Sequence, residues 1–458
     1  MTQVHGDSAG GADGLAVRHV SPAGNATAAP EAALAADAAL AAPGALAPGA
    51  PAANAPVRLV AGLVAATFGA YTAILTPVIV TLAIRVAQVA PDTRAQSLGA
   101  VLSVGAVLAL VANPLFGALS DRTTSRFGRR RPWLLGGMTV GLIGLAIVAL
   151  GGSIPVLTLG WALAQLGVNA ALAALTSIIP DRVPDHQRAR VSGLVGMMTP
   201  VAMVAGTFVA QAAGGNALLM MVIPGLLGLA GVVWLVAVLK DAPADRAALK
   251  PYGIKEFLRS FWVNPVRHRD FGWNWLGRFM VFLGMASLTS YQAYYLIDRL
   301  GFRPDQVADK IFLTTLVMTV GTVAGSILGG VLSDRSGRRK PYVIFSAALT
   351  GFALLIVALV NSLPMFLVAV FLFGFGQGLY LAVDVALAAA VLPNPAESAK
   401  DMGVLNIGNA LPQSLVPIIA PALLAIGGGT GNYSALFVFG AVAGVLGAVA
   451  VQFVRGVR

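Results

Sequence analysis

The chain has 458 residues, 57% of them hydrophobic and only 11% charged, and its net charge is +11. A soluble protein keeps about a quarter of its residues charged to maintain a solvated shell; this composition, with a mean hydropathy of +0.81, leaves lipid as the solvent. Cysteine is absent, which excludes disulfides, thiolate metal sites and cysteine nucleophiles. The four histidines (His5, His19, His186, His268) are scattered, so no metal or cofactor is expected.

Two structures span lipid, helices and closed barrels, and a barrel reads as short alternating segments. Here the apolar runs are long and continuous, and the 53 glycines suit close helix packing. Residues 1–56 are rich in Ala, Pro and Gly and lack a basic region followed by an apolar core. They read as a disordered cytoplasmic tail, not a signal peptide. Runs of about 20 apolar residues, the length that crosses hydrocarbon, fall near 57–84, 96–119, 133–151, 155–180, 191–213 and 217–239. A second set falls near 272–297, 308–333, 341–361, 364–391, 401–425 and 432–454. The expected fold is therefore an all-α membrane protein of twelve transmembrane helices. They form two six-helix bundles, 57–239 and 272–458, joined by a polar linker at 240–271.

The basic residues are placed unevenly. With the N-terminus inside, 24 of the 30 Lys and Arg fall in cytoplasmic segments and five outside, leaving Arg278 within a span. That bias puts both termini in the cytoplasm of a multi-pass cell-membrane protein. It makes the basic excess an orientation signal with no nucleic-acid partner implied.

An internal repeat sits in two of the basic loops. Gly117-Ala-Leu-Ser-Asp-Arg122 leads to Gly128-Arg-Arg-Arg-Pro132 between helices two and three. Gly330-Val-Leu-Ser-Asp-Arg335 leads to Gly337-Arg-Arg-Lys-Pro341 between helices eight and nine. A weaker echo pairs Pro180–Arg190, after helix four, with Pro393–Lys400, after helix ten. Glycine permits tight turns and close backbone approach, and Asp121 and Asp334 can each accept from a helix N-terminus or pair with a nearby arginine. The candidate latch residues are Gly117, Asp121, Arg122, Gly128, Arg129 and Arg130 in the first copy. Those of the second are Gly330, Asp334, Arg335, Gly337, Arg338 and Arg339.

This repeated loop resembles the cytoplasmic signature of the major facilitator superfamily, the second copy most closely. The longer first copy, SDRTTSRFGRRRPW, is similar to the glycoside–pentoside–hexuronide and sucrose–proton symporter branch. So are Thr76-Pro77, Asn169 with IIPDRVPDHQRAR, and VLPNPAESAKDMGVLNIGNALPQSLVP at 391–417. The resemblance spans roughly 57–455 and implies the major facilitator fold, alternating access and a cavity lined by helices seven and ten.

Charges at membrane depth cost about 2.5–3.5 kcal/mol on insertion scales and mark function by default. Two are present: Arg278 in helix seven and Asp384 in helix ten, at matching depths from the same face. They are expected to pair, with Asp384 serving as a proton-coupling carboxylate, a gating partner or a structural element. Phe373, Gln377, Tyr380, Asp384 and Leu387 form one helical stripe, and Arg278, Phe282, Met285, Thr289 and Gln292 another. Helix four contributes Trp161, Gln165, Asn169 and Thr176; helix one Thr67, Tyr71 and Ile74; helix eleven Asn406, Asn409 and Gln413. Aromatic rings beside amides suit a hydroxyl-rich ligand, although amides also serve as links between helices.

The leading reading is a secondary transporter, active as a monomer, that imports a sugar or glycoside with protons. The alternative is an exporter of drugs or metabolites on the same fold, favoured by Met197, Met198, Met203, Met220 and Met221. An enzyme needs clustered histidines, paired carboxylates or a nucleophile with a base at depth, and none is evident in the sequence.

Overall fold

The computed structural model describes residues 54–244, 253, 267–391, 398–427 and 431–455. The tail expected up to 56 lies almost wholly outside them, as do most of the 240–271 linker and residues 393–397.

Among the described residues twelve long helices follow one another. α1 comprises Val57–Thr76, a π turn at Pro77–Thr81, and Leu82–Val89. Then come α2 (Arg94–Asp121), α3 (Arg131–Leu150) and α4 (Ile154–Arg182). α5 is built from Asp185–Gly196 and Met198–Ala212, and α6 is Ala217–Val238. The second half holds α7 (Arg269–Asp298), α8 (Val307–Ser336), α9 (Lys340–Leu359), α10 (Leu363–Ala390), α11 (Ser398–Leu424) and α12 (Tyr433–Gln452). Eleven are long and apolar enough to cross a membrane. The exception is α7, whose 30 residues suffice in length while Asn274, Arg278, Gln292 and three tyrosines dilute its apolar content.

Several helices run beyond the apolar spans. α5 starts at Asp185, six residues before the expected 191, and an Asp185–Arg188 ion pair at 2.6 Å braces its first turns. Hydropathy reports only the lipid-facing stretch, whereas backbone hydrogen bonding continues into the aqueous zone. In α1 the π turn follows from Pro77, which has no N–H and crowds the preceding carbonyl.

Packing repeats between the halves. In the first, α1 packs on α6 and α5, α3 on α4 and α6, and α2 on α4. In the second, α7 packs on α12 and α11, α9 on α10 and α12, and α8 on α10. Across the halves α2 meets α11, α5 meets α8, and α1 meets α7 at the π turn. Helix alternation gathers the α2–α3, α4–α5 and α8–α9 loops at one end of the bundle, termed the basic end.

Small residues set the closest approaches. On α3, a Cβ at Gly137 would lie 2.6 Å from the Gly167 carbonyl oxygen, and one at Gly144 would lie 2.4 Å from the Ala164 nitrogen. α8 and α10 meet in the same way through Gly325 and Gly374. Without water to drive helix association, such close van der Waals contact holds membrane bundles together. Gly137→Val is therefore expected to destabilise the detergent-solubilised protein by about 1–3 kcal/mol. Gly136→Val, whose Cβ meets open space, should leave it unchanged. Thermal unfolding of the two adjacent variants makes the comparison.

Candidate functional site

An enclosed charge pair lies within the spans of the second half. Arg278 stands nine residues into α7, about 13 Å of helical rise from Arg269. Its guanidinium lies 2.8 Å from the Asp384 carboxylate on α10, and the two side chains are 6% and 1% exposed. Arg278 also donates through Nε to Oδ1 of Asn409 on α11, and it lies 6.0 Å from the Phe282 ring centroid. Asn409 donates in turn to Asn406 at 3.4 Å. Tyr380 is fully buried one turn before Asp384, edge-on to Phe282, with its hydroxyl beside the carboxylate. One arginine thus ties together α7, α10 and α11.

This cluster is not saturated. Apart from the ion pair with Arg278 and the neighbouring Tyr380 hydroxyl, the Asp384 carboxylate has no partner among the described residues. One turn toward the basic end, Asn274 is 1% exposed, with neither amide atom partnered among the described residues. A buried pair with spare hydrogen-bonding capacity is the kind of site that a proton or a ligand hydroxyl can enter without first dismantling a full network.

The other candidate residues are distributed more widely. Gln377 donates to the Met285 sulfur at 3.7 Å, and Gln292 is buried about two turns further along α7. In the first half the Asn169 amide donates to the Gln165 carbonyl at 2.8 Å and to its side chain at 3.0 Å. Trp161 is fully enclosed against Gly105, where a Cβ would lie 2.1 Å from its indole nitrogen; it fills the α2–α4 seam. Thr67, Tyr71, Thr176 and Thr199 line an enclosed cavity of about 60 Å³ between α1, α4 and α5, where Tyr71 bonds Thr199. Among the described residues no hydrogen bond joins these first-half groups to the Arg278 cluster. Met220 and Met221 are buried, and the Met221 sulfur accepts from Thr81, so both are used in packing.

At the basic end the two copies of the repeated loop differ. In the first, Arg130 is 4% exposed and pairs with both Asp121 and Asp181, the latter at 3.0 Å; Arg129 reaches Asp181 at 2.8 Å. The N-terminus of α3 is capped by Asp241, which accepts from the backbone N–H groups of Arg130 at 2.7 Å and Arg131 at 3.0 Å. The expectation that Asp121 could take a helix N-terminus is thus redirected: Asp121 takes the arginine and Asp241 the helix. Gly128, at φ +100, leaves room for that carboxylate, because a Cβ would lie 2.2 Å from it.

In the second copy Asp334, Arg335 and Arg338 are exposed, and Asp334 has no ion pair among the described residues. Gly337, at φ +63, closes α8 in the left-handed conformation. Arg122 and Arg339 each keep an interaction of their own. Gly117 and Gly330 were expected to bring backbones together, yet a Cβ at either would meet nothing within 4 Å. Both stand near the basic end of α2 and α8, helices that face across the halves.

Sequence reasoning gave no role to Asp181, which it placed only within the Pro180–Arg190 echo at the end of α4, to Asp241 after α6, or to Asn274, an amide one turn from Arg278. It also passed over Arg94, Asp298, Tyr291, Tyr294 and Tyr433, which meet at the opposite end of the bundle. The runs of tyrosine in SYQAYYLID were the available signal.

Two six-helix halves with matching packing, joined across α2–α11 and α5–α8 and holding a charge pair in the membrane interior, define a polytopic membrane transport protein. The chain belongs to the Major Facilitator Superfamily, whose sequence model matches residues 59–319 and 275–458. It is similar to the proton-associated sugar transporter A of Mus musculus, 36% identical over 107 residues, which is 23% of this chain and 12% of that protein. It also resembles an uncharacterized symporter of Synechocystis sp., 55% identical over 40 residues, which is 9% of this chain and 7% of that one. The chain thus matches only about a tenth of the length of these curated relatives. Among solved structures, the nucleoside transporter NupG superposes with a TM-score of 0.69 at 13% identity, covering 86% of this chain and 98% of that one. A bacterial homolog of the human lysosomal transporter Spinster, in an inward-facing and unoccupied conformation, gives 0.62 at 17% identity over 87% and 95%. At these identities the likeness is one of fold.

The enclosed pair makes a stability prediction. Removing one member of a buried ion pair leaves an uncompensated charge and costs about 3–5 kcal/mol, whereas removing both costs far less. Asp384→Asn and Arg278→Gln should each lower the unfolding temperature of the purified protein more than the double variant does. A double-mutant cycle by thermal unfolding reads the difference directly.

Proposed function

We propose that this transporter is a proton-coupled symporter that takes up a sugar or glycoside by alternating access, with Asp384 as the coupling carboxylate. The observation that carries the reading is the buried Arg278–Asp384 pair, tied to Asn409 and flanked by Tyr380 and Phe282. A proton arriving on Asp384 removes its charge and weakens its hold on Arg278. The guanidinium is then free to meet ligand hydroxyls together with Asn409 and Asn406. Release of the proton restores the pair, so proton and ligand occupancy are linked through one ion pair.

The asymmetry of basic residues favours a cell-membrane protein with its basic end and both termini in the cytoplasm. The sugar assignment draws on the amide-and-aromatic composition of the site and on the name of the mouse relative. Burial of Met220 and Met221 removes part of the argument for a broad, methionine-lined exporter site.

The test is uptake into proteoliposomes under an imposed pH gradient, using a panel of radiolabelled disaccharides and glycosides. At least one should accumulate with the gradient. Asp384→Asn should abolish gradient-driven accumulation, a loss of tenfold or more, while retaining exchange of labelled for unlabelled solute. Accumulation that persists in the variant removes Asp384 from coupling. Flux of no sugar, together with efflux of a lipophilic cation, overturns the sugar reading in favour of the exporter.

A further inference from the structure

We propose that Arg94, Asp298 and Tyr433 form the gate that holds the two halves together at the end opposite the basic loops, a role that rests on the alternating-access reading above. Arg94 opens α2 in the first half, Asp298 is the last residue of α7, and Tyr433 is the first of α12. One Asp298 oxygen pairs with the Arg94 guanidinium and the other accepts from the Tyr433 hydroxyl, so a single carboxylate bridges three helices and both halves.

Beneath this rim lies a tyrosine layer. Arg94 sits 5.4 Å from the Tyr294 ring centroid, and the Tyr294 hydroxyl donates to the Ala83 carbonyl at 3.0 Å. The Tyr291 hydroxyl lies 3.4 Å from the carbonyls of Ala95 in the first half and Pro417 in the second. Pro421 has no N–H to offer the Pro417 carbonyl, so that oxygen is available to the tyrosine. Deeper still, α2 and α11 touch: Ser103 reaches the Ser414 carbonyl at 3.4 Å, and a Cβ at Gly99 would lie 2.4 Å from the Pro417 oxygen.

Two features make this a gate and not permanent glue. Arg94 and Asp298 are 30% and 23% exposed, so water reaches the pair and can replace each partner as the halves part. The tyrosine layer contacts helix carbonyls and adds no second buried charge. At the basic end, by contrast, the Arg129 and Arg130 pairs with Asp121 and Asp181 stay within the first half, and the bonds from Lys340 to Gln452 and Val454 stay within the second. Those bonds stiffen each half without tying it to the other.

Because the chain has no cysteine, single reporters can be placed in the otherwise unaltered chain. Ser103→Cys, at a position 8% exposed beneath the tyrosine layer, should react slowly with a maleimide in nanodiscs. Adding Arg94→Gln or Asp298→Asn should raise its rate about fivefold, the scale of a partly exposed pair. Reversing the charges with Arg94→Asp and Asp298→Arg together should return it near the starting rate, which a misfolded protein would not do. Unchanged rates in both single variants, or a reversed pair as reactive as the singles, overturn the gate. A second reporter, Asn406→Cys on α11, separates this from the reading beneath it. A fall in its rate as the Ser103→Cys rate rises supports both. A rise at Ser103→Cys without that fall supports the gate and tells against alternating access.

Discussion

Hydrocarbon offers no hydrogen bonds, so the backbone groups carried into it must be satisfied within the chain, and a charge carried into it is best held by an opposite one. For the backbone the answer is helix, twelve times over. For side chains it is mutual pairing, and here the constraint becomes specific. Arg278 enters the membrane interior on α7 with several donors and finds acceptors on two other helices, Asp384 and Asn409. The second half is thereby tied through one guanidinium. Those contacts join α7, α10 and α11 at one point.

The two halves share a framework and differ in charge. Both use the third basic residue after the second glycine of the repeated loop to anchor the C-terminus of their last helix: Arg131 donates to the Leu239 carbonyl, and Lys340 to those of Gln452 and Val454. Cations suit such positions because a helix C-terminus carries partial negative charge. The first half adds two carboxylates, Asp181 on the arginines and Asp241 on the α3 N-terminus. At the corresponding sequence positions the second half has Asn394 and Gly456. Conversely, the buried pair belongs to the second half. One bundle is braced at its basic end, and the other carries the buried ion pair.

Much of this was legible in advance, and the reason differs from case to case. Arg278 and Asp384 stood out because charge is rare at depth, and the directions of α7 and α10 put them at one level. Asp181 and Asp241 did not stand out, because acids at helix ends are common and their partner, Arg130, lies 51 and 111 residues away. Arg94 and Asp298 are 204 residues apart and each ends an apolar span, where a charge marks topology in any membrane protein. Trp161 shared a helical stripe with Gln165 and Asn169, yet a stripe defines a face without saying what packs on it. Gly105 made room for the indole.

Composition, hydropathy and the repeated loop determined the solvent, the number of helices and the division into halves. These are local quantities, set by how each stretch of about 20 residues partitions between water and lipid. Tertiary structure alone decided which carboxylate each arginine found and which helices of the two halves met. Both depend on distances between helices remote in sequence, and the packing of small residues such as Gly99, Gly105 and Gly144 sets those distances.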